Sequence, residues 1–218
     1  MSDWLTWQVA DSAFPTGAFA HSWGLEAAWH QGEIESHDAL RRFLDAAVQQ
    51  AGFATLPLLN AVYHRLDELE RLDALTEAFL INAVANRASR IQGRSLLATA
   101  VRVWPSESLG ALSRRAEATH SHVAPLSGAV FRAIGLSLPA AQQIVLYGTA
   151  RGILSAAVRL GIVGSYEAQR LQHASAPWLD AVAERCSRLT SNDLAQTSPV
   201  TDLLQSAHDR LYSRLFQS

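Results

Sequence analysis

The sequence predicts an all-α chain folded as a single helical bundle-like domain over residues 1–218, with a special opening segment and a C-terminal helix set apart by a polar loop. Three observations carry that reading. Apolar residues recur at three- and four-residue spacing through most of the chain, the period of a helix with one buried face. Strand-like alternation is almost absent; only Leu5 to Val9 alternates, over too few residues to make a strand. Ser, Pro and Gly punctuate the periodic stretches as starts and stops, and no linker is wide enough to divide the chain.

Taken in order, Ser22 is placed to cap a first helix carrying Leu25, Glu26 and Trp29. Ser36 caps a helix to about Ala51 whose apolar face is Leu40, Phe43, Leu44, Ala47 and Val48, and Gly52 breaks or bends it. A helix from near Thr55 to Glu70 follows, with Pro57 in its first turn, where a missing N–H costs little. Leu75 to Val103 is one helix or two, with Gly93 inside it. Ser106 caps a helix to about Thr119, and Pro125 opens a short one that Gly135 closes. Ser137 and Pro139 start a long apolar helix to about Leu160, and Ser165 caps the next, to about Leu189. Thr190 to Thr197 is a polar loop; Ser198 and Pro199 then start a last helix to about Leu215.

A globule of 218 residues buries roughly 70% of its unfolded surface. With 49% hydrophobic residues it builds a core without staples. The net charge of −2 gives no electrostatic reason for nucleic acid or for an anionic membrane surface. The single cysteine, Cys186, leaves no internal disulfide and fits a reducing compartment. The start Met-Ser-Asp shows no signal peptide. The best approach to a membrane span, Leu136 to Leu160, carries Gln142, Gln143, Arg151 and Arg159. A cytoplasmic protein is expected.

Few residues point to chemistry. Glu117 and His120 have the i, i+3 spacing of a di-iron bundle, but a second such motif and two further Glu are missing. His120 and His122 suit nickel or zinc weakly, because two imidazoles are not a site. No tightly bound metal is expected, and a helix-end or loop role fits the pair better. Arg185 and Arg188 stand to lower the Cys186 pKa, although a lone Cys on a helix face is more often buried filling. A small metal- or thiol-dependent helical enzyme is the alternative these residues allow. Nucleotide loops and serine-hydrolase elbows are absent from the sequence.

Arg87, Arg90 and Arg94 share a helix face as either a solvated basic stripe or a partner-binding one. Gly93 among them lets another backbone come close, at about 1 kcal/mol relative to Ala in a helix. In the opening segment Phe14 and Phe19 flank a Pro15-Thr16-Gly17 turn, and Trp23 follows. Aromatics on rigid turns anchor interfaces, and they equally seal the end of a bundle; the pattern alone leaves both open.

Asp11 to Glu26, Asp-Ser-Ala-Phe-Pro-Thr-Gly-Ala-Phe-Ala-His-Ser-Trp-Gly-Leu-Glu, resembles the N-terminal signature of the urease accessory protein UreF family. The Arg90 to Arg94 run, His122 to Gly128 with Ile134-Gly135 after it, and the closing Arg214-Leu-Phe-Gln-Ser218 match in order. The resemblance implies an all-α, non-enzymatic homodimer without a cofactor of its own. Its partners would be UreD (UreH in some organisms), the GTPase UreG and the urease apoprotein. The complex would deliver nickel to urease and regulate the GTPase step, nickel passing through transiently.

Partner contact is then implied for Phe14, Pro15, Phe19, His21, Ser22 and Glu26 at the start of the chain, with Glu26 matching a UreG contact. The Arg87, Arg90 and Arg94 stripe supplies candidates in the middle. At the end stand Arg210, Arg214 and Phe216, with Arg214 matching an arginine tied to assembly with UreD. Relative to many members the chain has Phe19 and Ala20 in place of Tyr-Ser and lacks a His-rich N-terminal extension. That lack weakens any reading as a nickel store.

Overall fold

The structure, a computed structural model, describes residues 4–17 and 20–217. Among them there are helices and connecting turns but no strand. Trp4 to Ala10, which contains the only alternating run, forms helix α1. The others are α2 (Leu25–His30), α3 (His37–Gln50), α4 (Leu56–His64), α5 (Leu69–Phe79), α6 (Ala83–Val103) and α7 (Glu107–Ala116). They continue as α8 (Val123–Ala133), α9 (Leu138–Arg159), α10 (Ser165–Cys186) and α11 (Pro199–Ser206).

Several stops and starts fall where the residue chemistry requires. The Ser36, Ser106 and Ser137 hydroxyls accept the Ala39, Leu109 and Ala140 amides at 3.1, 3.3 and 3.3 Å. Gly135 and Gly161 take the left-handed conformation that ends α8 and α9. Several boundaries differ from expectation, among them the cap of α10, which is Gly164 and not Ser165. Gly52 does not break the helix: α3 runs through a π-helical turn, Ala51–Thr55, into α4. A side chain at Gly52 would meet Val182 Cγ1 at 2.6 Å, so the glycine serves packing on α10. The helix expected to reach Glu70 stops at Arg65, whose backbone is extended.

The Leu75 to Val103 stretch divides at Asn82, not at Gly93. The Asn82 carboxamide oxygen accepts the Val84 amide at 3.0 Å and starts α6. The last helix ends at Ser206, far short of Leu215; a 3-10 turn, Ala207–Arg210, and an extended tail follow. This C-terminal element is not separate. Its start is sewn to α3, since the Gln50 side-chain oxygen accepts the Thr197 and Ser198 amides at 2.6 and 3.0 Å.

Two apolar clusters make the core. One joins α2, α3, α9 and α10 around Leu25, Leu44, Ile153 and Val182, and includes Phe216 of the tail. The other joins α4 to α8 around Leu59, Leu72, Leu97 and Leu126. Burial of these Leu, Ile and Val side chains, each worth roughly 1.5–3 kcal/mol, is the main drive for folding. α4 and α9 contribute to both clusters, so the halves form one body. A cavity of about 280 Å³ lies between them, lined in part by Ser89, Gln92, Ser127 and Thr149.

Candidate docking site

The opening segment is built into the molecule at several points. The Asp11 carboxylate accepts the Ala13 amide at 2.7 Å and shapes the first turn. Phe14 packs on Trp104, with ring centroids 5.4 Å apart, and the Pro15 carbonyl accepts the Thr99 hydroxyl at 2.8 Å. Trp23 lies in the left-handed region at φ 59°, a strained place for a bulky residue, and Gly24 follows at φ 85°. A Cβ at Gly24 would meet Gln205 Cβ of α11 at 2.9 Å, and one at Gly152 would meet Trp23 Nε1 at 2.7 Å. The segment is therefore clamped between α6, α9 and α11. Phe19 lies outside the described residues.

Ser22 sits one turn ahead of α2. The N-cap position itself is Gly24, yet the buried Ser22 hydroxyl still accepts the Glu26 amide at 3.4 Å. Glu26, expected as a contact offered to a partner, is 1% exposed. Its carboxylate instead receives the chain's own tail. Oε1 accepts the Leu215 amide at 2.6 Å, and Oε2 accepts the Phe216 amide at 3.2 Å and His208 Nε2 at 2.9 Å. A buried carboxylate is stable only with such donors, so α2 and the tail depend on each other.

Four further contacts extend this joint. The Gln217 amide donates to the Ala20 carbonyl at 2.8 Å. The Arg159 guanidinium lies 4.1 Å from the centre of the Phe216 ring. Arg87 of α6 pairs with Asp209 at 2.8 Å, and Arg214 reaches the same carboxylate at 3.1 Å. Hydrogen bonding from Arg87 holds the Asp209 carboxyl below its usual range. His21 is buried beneath the tail. Burial first, then His208 and Arg87, bring its pKa down to about 4. A cavity of about 520 Å³ opens here, lined by His21, Arg87, Asp209, Arg214, Phe216 and others.

The arginine stripe therefore does not share one environment. Arg87 is committed to Asp209, Arg90 is half-buried, and Arg94 is exposed. Arg210 stands exposed on the 3-10 turn, while Phe216 is buried. Pro15 is exposed and Phe14 half-buried.

The two middle matches, Arg90 to Arg94 and His122 to Gly128, meet each other. A Cβ at Gly93 would overlap the Ser121 carbonyl oxygen and come within 2.9 Å of the His122 carbonyl carbon. The close backbone approach expected of Gly93 is thus internal. Ser121 takes φ 68° to make the turn, and the Asp73 carboxylate accepts the His120 and His122 amides at 2.6 and 2.8 Å. The His122 ring is fully buried, with Nδ1 3.0 Å from the Ser89 hydroxyl and Nε2 2.9 Å from Glu77. Burial lowers its pKa, opposed by the Glu77 hydrogen bond. His120 Nδ1 lies 3.7 Å from the same carboxylate. Among the described residues no group of three or more His, Cys, Asp or Glu is placed to hold a metal ion.

Cys186 corrects the thiol expectation. It is buried, and burial pushes its thiol up despite Arg185 alongside. Among the described residues no helix is long and apolar enough to cross a membrane. Sequence reasoning missed His208, Asp209, Asp73, Glu77 and Ser89. Glu26 and His208 stand 182 positions apart, and no local pattern links them.

Comparison with known families matches residues 34–176 to UreF. The chain belongs to the UreF family. Its relatives include Urease accessory protein F of Oryza sativa subsp. indica, 34% identical over 98% of this chain and 84% of the relative. Urease accessory protein F of Arabidopsis thaliana is 34% identical over 99% and 92%. Urease accessory protein UreF of Rhodopseudomonas palustris (strain TIE-1) is 33% identical over 98% and 90%. The UreF family match begins at Ile34, after the signature and Glu26, and ends before the tail. The alignments with whole relatives extend over nearly the full chain, both ends of the joint included.

Proposed function

We propose that this chain is a non-catalytic accessory protein of urease maturation. It forms a complex with UreD (UreH) and the GTPase UreG, delivers nickel to the urease apoprotein, and couples that delivery to the GTPase step. Family membership supports the accessory role. One structural observation carries the docking part: the signature segment and the tail, the two ends that the family resemblance marks for partner contact, form one surface joined through Glu26. Around that joint, Arg210 and Arg214 are exposed, as is Leu215, and guanidinium forks beside apolar surface suit protein interfaces.

Glu26 acts in this reading from inside, by setting the tail, and not as the side chain a partner touches. Nickel is cargo. The cavity between the two cores, with Ser89, Gln92, Ser127 and Thr149 in its wall, supports transit past weak oxygen and nitrogen donors better than storage. A cytoplasmic homodimer is part of the same reading. Urease activation in cells lacking the native factor tests it. Supplying this chain should restore nickel-dependent urease activity, and failure to restore it alongside well-folded partners would overturn the role.

A further inference from the structure

We propose that the cavity of about 520 Å³ beside the tail is a binding site for a small free oxyanion of phosphate size, held between Arg87 of α6 and Arg214 of the tail. The reading goes beyond the accessory role and does not depend on any partner being bound.

Its basis is an imbalance of charge in the cavity wall. Arg87 Nη2 donates to Asp209 Oδ1 at 2.8 Å and to Oδ2 at 3.1 Å, and Arg214 Nη1 donates to the same Oδ1 at 3.1 Å. Two guanidinium groups from separate elements are thus drawn to one oxygen, and a single carboxylate offsets only one of them. Among the described residues, Asp209 is the one acid in this wall. Glu26, the other acid of the joint, is spent on the buried His208 and on the two tail amides. His21 also lines the cavity. Burial first, then His208 and Arg87, bring its pKa to about 4, so its imidazole is neutral at pH 7.5. The excess positive charge therefore comes from the two arginines.

Donors are left over as well as charge. Among the described residues, the hydrogen bonds of Arg87 leave from Nη2 and that of Arg214 from Nη1. Nε and Nη1 of Arg87, and Nε and Nη2 of Arg214, keep N–H groups to give. Guanidinium forks match oxyanions, and two forks use more oxygens than the two of a carboxylate. Ala88, Ile91 and Phe216 line other parts of the wall, and apolar surroundings strengthen charge-assisted hydrogen bonds. The Arg87 and Arg214 side chains are 47% and 44% exposed, so an ion reaches them from solvent. An oxyanion bridging the two ties the tail to α6 beside the link that Asp209 already makes. Binding and tail docking are then coupled, since the released tail lacks the site.

The test titrates the full-length chain with sodium phosphate at pH 7.5, against sodium chloride at equal ionic strength, by calorimetry and by hydrogen exchange. Phosphate should bind saturably at one site. At ten times its Kd, protection of the Leu215 and Phe216 amides should rise about tenfold, while amides of α10 stay as they are. Arg214→Gln should abolish the binding, and Arg102→Gln, on α6 but outside the cavity, should keep it. Absence of saturable binding, or binding that survives Arg214→Gln, would overturn the proposal. Should Arg214→Gln fail to fold, the Nε–H resonances of Arg87 and Arg214 in the wild type decide by NMR. Both should shift along the phosphate saturation curve, and unmoved resonances would overturn the site. Acetate is the second arm. It should bind more weakly than phosphate, and equal affinity would overturn the assignment to a phosphate-sized ion. These readouts are independent of urease activation, so failure of one reading leaves the other intact.

Discussion

At the residue scale, single side chains and single missing ones decide the local structure. Gly93 is the clearest case. No side chain fits between α6 and the Ser121 carbonyl, so Gly93→Ala must push the backbones apart. A loss of about 3 kcal/mol or more is expected, measured as a fall in denaturant midpoint. Cys186 has the opposite character: nothing chemical is asked of it. It should resist thiol reagents at pH 8 in the native protein and react rapidly once denatured, because burial keeps the thiol protonated. His21 and His122 set the pH response. Both have pKa values lowered by burial, so the unfolded chain binds more protons below the ordinary value of 6.5. Global stability should therefore fall as pH drops from about 6.5 toward 4, and denaturant midpoints across that range check it.

At the element scale, the boundaries show what a sequence displays. Caps at Ser36, Ser106 and Ser137 were legible because the hydroxyl that starts a helix lies beside it. Asn82 carried the same signal, and Gly93 drew attention away from it. Glycine inside a helix marks a break only when the backbone needs the freedom; at Gly52 and Gly93 it marks a neighbour that comes close. Leu204, Leu211 and Leu215 keep an apolar spacing that extends the last helix on paper, although Leu215 is exposed and its amide is spent on Glu26. This assignment separates two truncations. Removing residues 211–218 should leave the circular dichroism spectrum nearly unchanged and lower the midpoint modestly, because it takes buried Phe216 and two of the Glu26 donors while α11 stays. Removing residues 198–218 should lower the midpoint further, because it strips α11 from α2, α3 and α6 and takes the Ser198 donor from Gln50.

At the scale of the whole molecule, the two ends of the chain meet, and that meeting organises the docking surface. The signature and the tail were each marked by resemblance, but their adjacency was not legible. It rests on a buried carboxylate whose donors come from 182 to 190 residues away. The central claim is that Glu26 works through the tail. A double-mutant cycle tests it most directly, with the chain co-expressed with its UreD and UreG relatives and the complex measured by co-purification. Glu26→Gln and removal of residues 211–218 should each weaken association while the helical spectrum stays intact. The combination should be no worse than the truncation alone. Full association by Glu26→Gln, or additive losses in the combination, would contradict the account.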